Sequence, residues 1–290
     1  MIEFPPFLVN FFEPLIALLF PTEDFEISAL ALFTGLIFSS VVMLILFVQS
    51  EKIKNVGVVD VGWSYLMGLL ALLYALLSTA EGNRKWIVAA LACIWSFRLG
   101  THILIRVRKS EEDGRYQAMR RGLGKNATLG FFVFFQAQAL VALLFALPFH
   151  IAIFNQNQGI AELQIWDYIG ILIWIFALGG EAIADYQLEA FKKKPTSKGK
   201  TCREGLWRYS RHPNYFFEWL HWFAYVCLSI GSAYWYVSLI GPILMYIFLV
   251  YVSGIPWTEK QSLRSRGDDY RRYQQETNAF FPWFPKSTKS

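Results

Sequence analysis

The sequence predicts an all-α, polytopic membrane protein with seven transmembrane helices, its N-terminus outside and its C-terminus in the cytoplasm. Three observations predict it. Only 17% of the 290 residues are charged while 55% are hydrophobic, against about a quarter charged in a soluble domain. Seven apolar runs each approach the roughly 20 residues needed to cross a bilayer. No alternation of period two argues for a barrel, and backbone polar groups in lipid are satisfied within helices.

The spans fall at about 28–49, 57–79, 86–107, 128–154, 165–190, 214–231 and 234–254. Residues 5–20 are apolar but broken by Pro5, Pro6 and Pro14, and read as a helix lying on the membrane surface. The first lysine is Lys52, so no positive n-region of a cleavable signal peptide is visible. Lys and Arg set the orientation. They are missing from the N-terminal segment, from 155–164 and from the turn at Gly231. They crowd into 108–126 and 191–211, and the tail 257–290 is basic. Arg84 and Lys85 are the one conflict with this alternation. Cys93, Cys202 and Cys227 show neither a disulfide nor a zinc spacing. With no internal repeat and no linker, residues 1–290 read as a single integral-membrane domain, with membrane lipid and a lipophilic small molecule as partners and no nucleic acid. No metal site is expected.

Polar residues inside spans are costly and mark candidate sites. In the second span Asp60 lies a turn in, with Trp63 and Ser64 on its face. It reads either as a functional carboxylate or as one that snorkels or pairs with a neighbouring helix. In the third span Ser96, Arg98 and His102 follow Trp95, and Arg98 is the natural ion-pair partner for Asp60. Arg115 and Tyr116 sit in the mixed-charge loop after it. In the fourth span Gln136 and Gln138 read as helix-packing amides, and His150 as structural. The fifth span ends with Glu181, Asp185 and Glu189, spaced by four, before Lys192 to Lys194. Carboxylates there would suit ribose hydroxyls and lysines phosphates; an amphipathic helix end leaving the bilayer is the other reading.

A basic loop then runs into an apolar helix through Gly205-Leu206-Trp207-Arg208-Tyr209-Ser210-Arg211-His212-Pro213-Asn214-Tyr215. Proline suits a first helical turn, and a helix N-terminus among cations is a site for an anion such as a phosphate. Asn214, Glu218, His221 and Trp222 share one side of that helix. In the tail come Glu259, Arg264, and Tyr270 and Tyr273 at i,i+3, a face that would cover a flat ligand or else lie on the lipid surface.

Together these residues resemble the steroid 5α-reductase superfamily, particularly its bacterial membrane branch. The likeness is carried by Asp185, Gly205-Leu206-Trp207-Arg208-Tyr209, Asn214-Tyr215, Glu218, Trp222, Asp269-Tyr270 and the closing Phe281-Pro282-Trp283-Phe284-Pro285, with Asn55 to Trp63 similar to the bacterial branch. The resemblance implies a cytoplasm-facing NADPH site and reduction of a Δ4-3-oxosteroid or similar enone. The family's Gln-Glu pair and its tyrosine are not matched, which makes Asp60 the stand-in for the acid and places Ser96 near the tyrosine. Asp60, Trp63, Ser96 and Arg98 are then the catalytic candidates. The cofactor candidates are Arg115, Tyr116, Glu181, Asp185, Lys192, Arg208, Tyr209, Arg211, His212, Asn214, Tyr215, Glu218, Trp222, Glu259, Arg264, Tyr270 and Tyr273. The same Arg-His-Pro-x-Tyr pattern resembles isoprenylcysteine carboxyl methyltransferases, which use S-adenosylmethionine. A transporter or scaffold is the non-enzymatic alternative. The membrane expected is the bacterial inner membrane or the endoplasmic reticulum.

Overall fold

A computed structural model describes residues 25–154, 163–232 and 234–286. The expected surface helix at 5–20 and most of the loop at 155–164 lie outside them. Among the described residues the chain is helical: α1 (Phe25–Ile53), α2 (Val58–Leu77), α3 (Arg84–Lys109), α4 (Gly114–Leu123), α5 (Ala127–Ile153), α6 (Ile165–Lys192), α7 (Pro213–Ser229), α8 (Ile240–Ile247), α9 (Ile255–Arg266) and α10 (Asp268–Glu276). Among the described residues six stretches are long and apolar enough to cross a membrane: Ile27–Ile53, Val58–Leu77, Arg84–Lys109, Gly114–Ile153, Ile165–Lys192 and Trp235–Arg266. Their outward faces carry large apolar side chains such as Ile45, Phe97, Leu129, Leu172 and Phe176, as expected when lipid is the solvent. The chain is a membrane protein with transmembrane helices. α7 is apolar but has only 17 residues, about 25 Å at 1.5 Å per residue, short of a roughly 30 Å hydrocarbon core.

The backbone forms two compact units, 1–163 with 229–238 and 164–228 with 239–290. In the first, α2 and α3 pack most closely. Gly68 on α2 lets α3 approach until the Ser96 hydroxyl reaches the Gly68 N–H at 3.0 Å and donates to the Ser64 carbonyl. A Cβ at Gly68 would stand 2.8 Å from Ser96 Oγ and 3.1 Å from the Cys93 backbone. α1 and α5 are tied across the same unit by Ser40 Oγ donating to Gln136 Oε1 at 2.5 Å, the amide role read from the sequence. His150, fully buried, hydrogen-bonds to Ser28 at 2.7 Å.

The second unit holds several departures from regular α-helix, two of which shape the segments around α7 and α9. The span read at 234–254 is not one α-helix. After α8 the segment Phe248–Val252 winds as a π-helix, with the N–H groups of Ser253 and Gly254 both reaching back to the Phe248 carbonyl. Pro256 then opens α9, where its missing N–H costs nothing. The loop before α7 is a short 3₁₀ turn, Gly205–Arg208. Gly205 has φ +56°, and a Cβ there would lie 2.4 Å from the Gln187 side chain. That close approach lets Gln187 accept from the Leu206 N–H at 2.8 Å.

Candidate functional site

The first unit gathers Asp60, Arg115 and Tyr116. The segment 108–126, expected to be a loop, contains α4, capped by Asp113, whose carboxylate accepts from the Arg115 N–H at 2.9 Å. α4 turns Arg115 and Tyr116 toward the start of α2. Tyr116 Oη donates to Asp60 Oδ1 at 2.6 Å and Arg115 Nη2 to Asp60 Oδ2 at 3.1 Å. Arg115 also reaches Asp113 through Nε and Nη2, and Nη1 has no hydrogen bond among the described residues. Burial works to raise the Asp113 carboxyl, but the hydrogen bonds and charge of Arg115 prevail and hold it below its ordinary value. Beside this cluster Glu112 accepts from the Val56 N–H at 3.0 Å and from Arg120 at 2.9 Å, pinning α4 to the turn before α2.

Three sequence expectations change here. The cation on Asp60 is Arg115, where Arg98 was expected. Both Asp60 contacts are donations into its carboxylate, so it acts as an acceptor, where the resemblance made it the stand-in for the acid. Ser96 is engaged in the α2–α3 contact on both sides of its hydroxyl and is a packing residue. Trp63 meets Phe145 edge-on at 5.3 Å, and its buried Nε1 has no hydrogen-bond partner among the described residues. Arg98 is half-buried on α3. Elsewhere in the unit a groove of about 590 Å³ lies between α1 and α5, lined by Ile37, Val41, Phe132, Leu140 and the Ser40–Gln136 pair.

The second unit builds its centre on Glu259 of α9. Arg211 Nε donates to Glu259 Oε1 at 2.6 Å, Gln274 Nε2 to Oε2 at 2.8 Å and Tyr270 Oη to Oε1 at 3.4 Å. His212 Nε2 lies 3.3 Å from Oε1. Arg211 Nη1 donates to the Gln274 and Thr277 carbonyls. Tyr273 Oη donates to the Trp207 and Ser210 carbonyls, and Trp207 Nε1 to the Ala184 carbonyl at 2.8 Å. The His212 ring stacks on Tyr215 at 5.3 Å, and Tyr215 Oη pairs with Thr258 at 3.1 Å. Burial lowers the His212 imidazole below its ordinary 6.5, against the pull of Glu259. Burial likewise raises the Tyr270 and Tyr273 phenols.

Arg211 and His212 are therefore occupied inside the fold and do not present their charge to a phosphate as the loop sequence implied. Tyr270 and Tyr273, 3% and 1% exposed, face the interior and do not form an open platform for a flat ligand. Gln274 was missed. Its signal was the face Tyr270, Tyr273, Gln274 and Thr277, at i, i+3, i+4 and i+7 of one helix.

A second group lies where α6 and α7 meet. Asn214 Nδ2 donates to Asp185 Oδ1 at 3.3 Å. The α6 stripe grades from buried Glu181 through half-buried Asp185 to exposed Glu189, which pairs with Lys192 at 2.7 Å. Glu218, His221 and Trp222 are buried on α7, with His221 Nδ1 2.6 Å from the Glu218 carbonyl oxygen. Arg208, Tyr209 and Arg264 are exposed. Among the described residues no acid pairs with Arg208 or Arg264.

Both units thus define a helical membrane protein whose polar groups gather at helix ends. The chain belongs to the DUF1295 family, described as proteins of unknown function, which matches residues 46–277; it is related to steroid 5α-reductase-like membrane proteins. The chain is also similar to the uncharacterized protein C594.04c of Schizosaccharomyces pombe, 29% identical over 288 residues that cover 89% of this chain and 82% of that protein. No solved structure matches it.

Proposed function

We propose that this protein is an NADPH-dependent reductase of the C=C bond of a Δ4-3-oxosteroid or similar lipophilic enone. The observation that carries the reading is the Asn214–Asp185 pair with Arg208 exposed nearby in sequence and unpaired among the described residues. An amide and a carboxylate suit ribose and carboxamide groups, and an unpaired guanidinium suits a phosphate. Arg264 and Lys192 add exposed charge on the same unit. When bound, NADPH would supply a hydride to the enone β-carbon. The developing enolate oxygen then needs a donor, and a proton must reach the α-carbon. Within the first unit, taken by itself, Arg115 is a donor of the required kind, because Asp60 and Asp113 hold its guanidinium in place and leave Nη1 without a hydrogen bond among the described residues. Asp60 and Tyr116 act as positioning residues. The apolar groove between α1 and α5 suits entry of a lipophile from the membrane.

The fuller topology is part of this proposal. α7 completes a seventh span, with the N-terminus outside and the C-terminus cytoplasmic, in the bacterial inner membrane or the endoplasmic reticulum. A second reading is favoured by one observation. Engagement of Arg211 and His212 by Glu259 removes two cations from the phosphate set, and S-adenosylmethionine needs none. The test uses full-length protein in detergent with NADPH and testosterone, following NADPH loss and product mass. A product heavier by two hydrogens supports the reductase. Stabilisation by S-adenosylmethionine and none by NADPH would replace it with a methyltransferase.

A further inference from the structure

The segment after α10 lies as a strap along the loop before α7. The Arg211 N–H donates to the Asn278 carbonyl at 2.9 Å, Ser210 Oγ to the Phe280 carbonyl at 2.9 Å, and the Trp283 N–H to the Tyr209 carbonyl at 2.9 Å. The Lys286 N–H closes it on the Glu276 carbonyl at 2.8 Å. Phe280 is buried against Phe216, Trp219 and Tyr246 at 5.4–6.0 Å. Tyr246 belongs to a stretch apolar enough to span a bilayer, so the strap runs beside lipid-immersed helix.

Its outer face is unlike that of a solvated tail. Phe281, Trp283 and Phe284 are 50%, 68% and 73% exposed, and Tyr209 lies edge-on to Phe284 at 5.9 Å. The backbone bonds above fix these rings in place, so their exposure is built in. Two exposed cations flank them, Arg208 beside Tyr209 and Lys286 after Pro285, and neither has an acidic partner among the described residues. The nearby acids are already engaged, Glu276 by Arg203 and Glu204 by Lys194. Trp283 and Tyr209, apolar rings with one polar edge, lie with the fully apolar Phe281 and Phe284 next to unpaired cations, and together they have the chemistry of the interface between acyl chains and anionic headgroups.

We propose that this aromatic strap is an interfacial anchor that seats Trp283 and Phe284 among the headgroups of anionic lipids. Through the Tyr209, Ser210 and Arg211 contacts, the anchor also holds the loop carrying Arg211 and His212 against α10. The inference needs no cofactor or substrate, and it shares only Arg208 with the reductase reading, as a cation open to a cofactor phosphate or to a lipid headgroup.

The experiment places a photoreactive benzoylphenylalanine at position 283 of the full-length chain. Only the Trp283 backbone N–H is bonded and its ring is largely exposed, so the fold tolerates the change. The protein is reconstituted in vesicles of phosphatidylcholine alone or mixed with phosphatidylglycerol, irradiated and weighed by mass spectrometry. Lipid adducts are expected, roughly 25-fold more abundant with phosphatidylglycerol if each cation contributes about fivefold. Arg208→Gln and Lys286→Gln should each reduce that preference about fivefold. Equal adduct yield in both vesicles, crosslinks to a second copy of the chain, or no lipid adduct with hydrogen exchange of 277–286 unchanged by lipid would each overturn the proposal.

Discussion

Glu259 is the side chain on which the second unit turns. Its two oxygens receive Arg211, Gln274 and Tyr270, and it is 15% exposed beside an Arg211 that is 11% exposed. Removing one member of a pair so enclosed leaves the other charge without compensation. Glu259→Ala should therefore cost about 3–5 kcal/mol, read as a large fall in thermal midpoint of the protein in detergent. Glu259→Gln keeps a hydrogen-bonding shape and should cost less than Ala. His212 adds a pH dependence whose sign follows from its burial. Its folded form takes a proton less readily than the unfolded chain, where the imidazole titrates near 6.5. Its contribution is thus full above about pH 6.5 and is lost as the pH falls through the lower folded value. Melting measured between pH 8 and pH 5 should show a midpoint that drops below pH 6.5, and His212→Gln should flatten that part of the slope. At Asp60 the functional reading meets the same logic. Asp60→Asn withdraws charge from Arg115 and should cost about 1–3 kcal/mol, while NADPH consumption with an enone falls more than stability does if Arg115 is the donor. A loss of stability with unchanged turnover of the remaining folded protein would take Arg115 out of the mechanism. The sequence made Asp60 legible because a carboxylate one turn into an apolar run is costly. It concealed the partner, because Arg115 is brought to Asp60 by a helix whose charge pattern looked like a solvated loop.

Among the elements, the α2–α3 pair makes the sharpest demand on sequence. Gly68 admits Ser96 into a space that a methyl group would fill, and one of the atoms in the way is the Cys93 backbone, which cannot swing aside. Gly68→Ala should destabilise by about 1–3 kcal/mol, while Ser96→Ala, which removes the hydroxyl and keeps the space, should cost about 1 kcal/mol. Thermal melts of the two variants would rank them, and a neutral Gly68→Ala would mean that the helices slide apart without penalty. The long helices were readable from apolar run length, whereas the polar helix α4 lies in a segment expected to be a loop. What was not readable was the interruption after α8: Phe248-Leu249-Val250-Tyr251-Val252 is as apolar as what precedes it, and the wider π turn is set by the Gly254–Leu249 approach, where a Cβ would sit 2.5 Å from a carbonyl oxygen. The motif from Gly205 to Tyr215 was legible as the organising stretch, but its cations were read as facing a ligand. Several of its residues instead face the α9–α10 segment, a long-range pairing that no local pattern encodes.

At the scale of the whole molecule, the distribution of Lys and Arg argues for orientation, and one apparent exception has a local cause. Arg84 and Lys85 stand on the side that should lack positive charge. Lys85 Nζ donates to the Ser78 carbonyl at 2.9 Å, just past the C-terminal end of α2, where a cation also complements the helix dipole. Arg84 is 8% exposed. Both are engaged by the fold and offer little free charge to hold that loop in the cytoplasm. The proposed topology then places Lys54, Lys125, Lys198 and Arg272, all exposed, on the cytoplasmic side, and exposed Glu81 on the other. Single cysteines at these five positions, in a chain whose Cys93, Cys202 and Cys227 are replaced by Ala, would be probed with a membrane-impermeant maleimide on intact cells and again after permeabilisation. Glu81→Cys should label in intact cells, and the other four only once the membrane is opened. Labelling of Arg272→Cys but not Lys198→Cys in intact cells would remove α7 as a seventh span, because six crossings before the tail would bring it out on the opposite face from Lys54.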